Sequence, residues 1–238
     1  MDKKIAVITG ASKGIGKAIA DILIKDDYLI VNASRNRPEQ DDGNMFIQID
    51  VRKKEDCEKM IKEVVEKFGR IDLLVNNAGV FYSGGVEKLN IEEMRNIIET
   101  NVYGVFYCTH YVIDQMKKQG SGQILNIAST SGMSFRDGWI SYTASKWAVV
   151  GFTGSLRKEL EKYGIDVICF SPGGTDTELF RHGVDGTELD TSTFTTAEIM
   201  GEKIVQSMKR EDKNKWLFVF TRVDNILKQY GFEDYPVR

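Results

Sequence analysis

The chain has 238 residues, 42% of them hydrophobic, a formal net charge of -3 at pH 7 and a pI near 5.6, and no Pro-rich linker, repeat or low-complexity tract interrupts it. Such a composition supports one sizeable core over 1–238, offers no basic surface to nucleic acid, and contains no apolar run near the roughly 18 residues of a membrane span. Cys57, Cys108 and Cys169 stand far apart without metal-ligand spacing, which excludes a disulfide scaffold and fits a reducing, cytoplasmic setting.

Short apolar runs alternate with longer amphipathic ones. KIAVIT reads as a strand and 15–25 as a helix; YLIVNA and MFIQID follow as strands, separated only by the polar SRNRPEQDDGN, so the crossover between them is predicted to be abbreviated. A helix over 53–68, the strand IDLLVN, a long helical stretch near 91–118, the strand GQILNIA, a helix over 142–163, the strand IDVICFS, a helix over 197–208 and the strand WLFVF complete the chain. Continuous apolar strands are those of a buried parallel sheet, and strand–helix alternation implies right-handed βαβ units. The expected architecture is therefore a single-domain, Rossmann-like, doubly wound parallel α/β sheet of about seven strands with helices on both faces.

Several motifs fall at the ends of these strands. TGASKGIG, from Thr9 to Gly16, joins the first strand to the first helix, and its glycines allow the backbone to approach a diphosphate at a helix N-terminus. NNAG, from Asn76 to Gly79, closes the fourth strand; Asn101 lies in NVYG; Ser129 ends GQILNIAS; Tyr142 and Lys146 stand one helical turn apart, thirteen residues beyond Ser129; SPGGTDT runs from Ser171 to Thr177. In this order, from Ile5 to Thr177, the motifs resemble the short-chain dehydrogenase/reductase family, and the chain is similar to 3-oxoacyl-carrier-protein reductases and carbonyl reductases.

The resemblance implies catalysis by Asn101, Ser129, Tyr142 and Lys146, with a hydride exchanged between NADP(H) and a carbonyl or secondary alcohol. Tyr142 is the expected general acid/base. A phenol near pKa 10 needs roughly 4 kcal/mol of preference for its anion to titrate about 3 units lower, an amount a cation such as Lys146 supplies at about 4 Å. Lys146 is also expected at the nicotinamide ribose, Ser129 at the substrate oxygen, and Asn101 beside a relay water. Cofactor contacts are expected from Gly10, Ser12, Lys13, Gly14, Ile15 and Gly16 in the turn, from Asp50 and Val51 at the adenine, from Asn77, Ala78 and Gly79 at the adenosine ribose, and from Pro172, Gly173, Thr175 and Thr177 beside the nicotinamide. Asp50 has the alternative of capping the helix that follows it. At the end of the second strand stands Ser34 rather than an acid, followed by Arg35; together with Lys13 these favour the 2′-phosphate of NADP(H) over NAD(H).

Residues 176–194 are expected to form a substrate lid. Phe81, Tyr82, Phe135, Trp139, Leu179 and Phe180 point to an apolar or aromatic small molecule, whereas Arg136 and Arg181 point to an anionic one. His110 and His182 lack partners at ligand spacing, so no metal is expected. A homodimer or homotetramer is expected, through the two long helices or the C-terminal strand, with no nucleic-acid or membrane partner. Two other readings stand beside the reductase. One is a regulatory sensor that binds NADP(H) without turnover; the other, a sugar-nucleotide epimerase or dehydratase, calls for a larger C-terminal domain than 238 residues allow.

Overall fold

The computed structural model describes residues 3–39, 43–181 and 191–221. β1 (Lys4–Thr9) leads through the glycine-rich turn into α1 (Gly14–Lys25), and β2 (Tyr28–Ser34), β3 (Met45–Gln48), α2 (Lys54–Phe68) and β4 (Leu73–Asn76) follow. Then come α3 (Ile91–Ile98), α4 (Gly104–Gln119), β5 (Gly122–Ile127), α5 (Ile140–Leu160), β6 (Ile165–Pro172), a short β7 (Thr175–Asp176), α6 (Glu178–Arg181), β8 (Thr195–Thr196), α7 (Ala197–Met208) and β9 (Leu217–Phe220).

Seven strands form one parallel sheet in the spatial order β3-β2-β1-β4-β5-β6-β9, and every run read as a strand pairs in it. The strands lack alternation because both faces are covered, so that all four residues of β4 are buried. On one face α1 and α7 bring Ile19, Leu23, Met200 and Ile204 onto Ile8, Ile30, Leu125 and Ile168. On the other, α2, α4 and α5 pack Met60, Val64, Val112, Met116 and Leu156 against Val7, Leu74 and Ile124. In α2 the buried positions 57, 60, 61 and 64 recur at helical spacing, and Gly69, in the left-handed region, ends the helix.

The order reverses between β1 and β4. From β1 the chain winds outward to β2 and β3, then returns and winds the other way, which opens a crevice at the carboxyl ends of the central strands. Among the described residues no helix joins β2 to β3, as the short polar segment implied. The helix expected over 91–118 requires a correction: a π-helical turn over Glu99–Tyr103 separates α3 from α4. The wider turn rotates the following helix and leaves Asn101 almost wholly buried, a frequent device at functional sites. β7 and β8 form a separate two-stranded pair beside the crevice.

Candidate functional site

The glycine-rich turn is tied to the end of β4. Thr9 Oγ1 accepts the backbone N–H groups of Asn77 and Ala78, each at 3.0 Å, while Asn77 Nδ2 donates to the carbonyls of Thr9 and Gly10 at 3.0 and 3.1 Å. Gly10 turns the chain at φ +71°, where a side chain is strained. A Cβ on Gly16 would lie 2.4 Å from the Gly10 carbonyl oxygen and 2.5 Å from Asn77 Nδ2. Gly16 thus lets α1 pack closely under the turn.

A cavity of about 720 Å³ runs from this turn to Tyr142. Gly10, Ser12, Lys13, Gly14 and Ile15 line its start, and Ser34, Arg35, Asp50 and Val51 line one side. Asn77, Ala78 and Gly79 form the floor, and Pro172, Gly173, Thr175 and Thr177 border the end holding Ser129, Tyr142 and Lys146. Its size, the backbone-lined turn and the N-terminus of α1 fit a dinucleotide. Asn36, Val80, Thr100 and Ala128 also line it and carried no sequence signal, while Asp176 and Glu178, which line it too, belong to the expected lid.

The groups expected at a 2′-phosphate are in part already engaged. Ser34 Oγ donates to Asn32 Oδ1 at 2.7 Å, Lys13 forms an ion pair with Glu178, and Arg35 is exposed at the rim. The hydrogen bonds from Arg52, the shortest 2.6 Å, hold the Asp50 carboxyl below its usual range against the opposing effect of burial. Asp50 does not cap α2 with its side chain; its backbone N–H donates to Asp56 at 2.9 Å instead. Arg52 continues to Asn96 at 3.0 Å, and Asn96 donates to the Tyr82 hydroxyl at 2.8 Å.

At the other end α5 presents Tyr142 and Lys146 on successive turns facing Ser129. Tyr142 is 3% exposed, enclosed edge-on by Phe81 at 5.0 Å and by Trp139 and Phe180 at 6.1 and 6.4 Å between centroids. Burial pushes its phenol up to about 12, opposed by a hydrogen bond with Ser129. Burial also pulls Lys146 down to about 8; its Nζ donates to the Ile127 carbonyl at 3.0 Å and lies 5.6 Å from the Tyr142 ring centroid. The lowered phenol expected from the Lys146 charge is therefore not what the protein's own groups produce, because desolvation weighs against both charged forms. Ser129 Oγ accepts the Ser131 N–H at 3.1 Å.

Asn101 sits behind the wall rather than on it. Its Oδ1 accepts the Val80 N–H at 2.8 Å, and its Nδ2 donates to the Val80 carbonyl at 3.0 Å and to Ser145 Oγ at 3.1 Å. Of the six apolar candidates, Phe81, Tyr82, Leu179 and Phe180 line the cavity. Phe135 is 60% exposed and stacks on Trp147, and Trp139 supports Phe81 from behind with Arg136 over its ring. Arg181 ends α6; its side chain and His182 lie outside the described residues, and so do 182–190 of the expected lid. His110 is an exposed residue of α4 against Tyr111. Among the described residues no group of three or more His, Cys, Asp or Glu is placed to hold a metal ion, and no helix is long and apolar enough to cross a membrane.

Residues 4–187 match the sequence profile of short chain dehydrogenases. The chain belongs to the short-chain dehydrogenase family. An uncharacterised oxidoreductase of Staphylococcus saprophyticus is 37% identical over 190 residues, 75% of this chain and 81% of its own length. The solved structure of ElxO with NADP bound has a TM-score of 0.78 at 28% identity, covering 92% of this chain and 96% of that one. A 3-ketoacyl-(acyl-carrier-protein) reductase from Brucella melitensis complexed with NADH has a TM-score of 0.83 at 25% identity, covering 94% and 98%. As a short-chain dehydrogenase this protein is an oxidoreductase of a family that uses nicotinamide cofactors, and its seven-stranded sheet is that of its structural neighbours.

Proposed function

We propose that this short-chain dehydrogenase moves a hydride between NADP(H) and a carbonyl or secondary alcohol, with Tyr142 as general acid/base. The observation that carries this reading is the convergence of Tyr142, Lys146 and Ser129 on one end of the cavity whose other end is the glycine-rich turn. The cofactor, when bound, gives or takes the hydride. The protein's part is to hold the substrate oxygen and move one proton. Tyr142, at about 12, carries that proton at neutral pH. Once it is released to a developing alkoxide, the phenolate left behind is stabilised by the neighbouring Lys146 cation, which at about 8 is mostly protonated at pH 7. Ser129 fixes the oxygen, and Phe81 and Phe180 exclude water from that end. Asn101 clamps Val80 and Ser145 and so holds the wall beside Tyr142.

The lack of an acid at the end of β2, together with Lys13 and the exposed Arg35, supports NADP(H) over NAD(H). Phe81, Leu179 and Phe180 support an apolar small-molecule substrate, with the segment around α6 as part of its lid. Phe106, exposed on α4 and stacked on Phe152 of α5 at 4.1 Å, supports self-association through these helices as a dimer or tetramer. The three free, buried thiols are consistent with one catalytic domain working in the cytoplasm.

Consumption of NADPH, and separately NADH, against ketones, aldehydes, quinones, keto sugars and 3-oxoacyl thioesters tests the reading, with Tyr142→Phe alongside. Faster turnover with NADPH that is lost in the variant is the expected result; tight NADPH binding with no turnover across the panel would leave a nucleotide sensor in its place.

A further inference from the structure

Lys13 is claimed from across the cavity mouth by Glu178, 165 positions away, at the first residue of α6. The contact is backed by the fold. A Cβ built on Gly14 would meet Thr177 Cγ2 at 3.3 Å, so the segment entering α6 lies directly on the glycine-rich turn. The far side of α6 is anchored too: Phe180 packs on Phe81 at 5.0 Å and edge-on to Phe194 at 5.9 Å between centroids. Glu178 is thereby held at the rim, on the cavity lining, beside Asp176 and opposite Lys13 and Arg35.

We propose that Glu178 is a selectivity residue, whose carboxylate competes with the nucleotide's phosphate for Lys13 and so weakens the protein's discrimination between NADPH and NADH. The proposal rests on the dinucleotide reading of the cavity. An ammonium group paired to a carboxylate offers less to an incoming phosphate, and the carboxylate repels that phosphate directly. Ser12, next to Lys13, donates to the Asn36 carbonyl at 2.6 Å, which holds this part of the turn at the end of β2, beside Ser34 and Arg35. The phosphate most affected is therefore the 2′-phosphate, which NADPH has and NADH lacks. The pair is solvent-exposed, its side chains 67% and 52% accessible, so the effect is moderate and sensitive to salt.

The experiment measures the dissociation constants of NADPH and NADH by quenching of tryptophan fluorescence, for the wild type, Glu178→Gln, Lys13→Ala and the double variant, at low and high salt. Glu178→Gln is expected to tighten NADPH about three- to tenfold and NADH less than about twofold, with the gain shrinking at high salt and falling, in the Lys13→Ala background, to the smaller part that relief of direct repulsion supplies. An unchanged NADPH constant, or equal gains for the two nucleotides, overturns the proposal and leaves the dinucleotide reading standing. A wild type that binds neither nucleotide overturns both.

Discussion

Lys146 is a cation sunk in the core beside the sheet, and its burial has an energetic consequence. The unfolded chain keeps the proton up to its ordinary value of 10.5, the folded one only to about 8. Unfolding therefore takes up a proton between these values, and stability rises with pH across that window; below about pH 8 the whole cost is present, roughly 3 kcal/mol. Lys146→Met removes the cost but orphans the Ile127 carbonyl, so it is expected to stabilise the protein by about 1–3 kcal/mol at pH 7 while abolishing turnover. Urea denaturation at pH 7 and near pH 10.5 checks this: the gain should fade at the higher pH, and a variant no more stable than wild type at pH 7 would contradict it. The sequence located Tyr142, Lys146 and Ser129 because their spacing is local. It could not give the direction of the Tyr142 shift, since the rings that bury it come from Phe81, Trp139 and Phe180. Nor could it pair Lys13 with Glu178, which meet only through the fold.

At the scale of elements, the π-helical turn and the glycine-rich turn do the positioning. Asn101 reaches Val80 because the π turn directs it inward, and three hydrogen bonds hold it there. Asn101→Ala should destabilise the protein by about 1–3 kcal/mol, since it leaves the half-buried Val80 N–H and carbonyl without their side-chain partner, and should loosen the wall next to Tyr142. A thermal melt within a degree of wild type would show that the clamp is idle. For the other turn, Gly16→Ala would press a methyl onto Gly10 and Asn77, so loss of nucleotide binding is expected in fluorescence titration, together with a lowered melting temperature; wild-type affinity would contradict the packing role. The glycine-rich turn was legible because glycines at fixed offsets between a strand and a helix have few other uses. The π turn was not, as ETNVY continues the helical pattern of its neighbours and a single extra residue per turn leaves no compositional mark.

For the whole molecule, the seven apolar runs were enough to foresee the sheet, because a parallel sheet covered on both faces must be built from continuous apolar strands. Strand order was not written in any one strand, yet it decides the site: with β1 and β4 adjacent at the centre, the ends of β1, β2, β4, β5 and β6 open onto one cavity. The two-residue strands β7 and β8 are too short to carry a period, and the final segment, 222–238, lies outside the described residues. The proposed function joins this fold to chemistry in a single step, hydride transfer at one end of the cavity paired with proton transfer by Tyr142. The most direct test uses NADPH deuterated at the transferring position of the nicotinamide, with an accepted carbonyl substrate, and mass analysis of the alcohol formed. Deuterium at the carbinol carbon with wild type, falling by about a hundredfold or more in rate with Tyr142→Phe while NADPH affinity stays within about twofold, is the predicted result; an alcohol formed without the label, or at an undiminished rate in the variant, would contradict it.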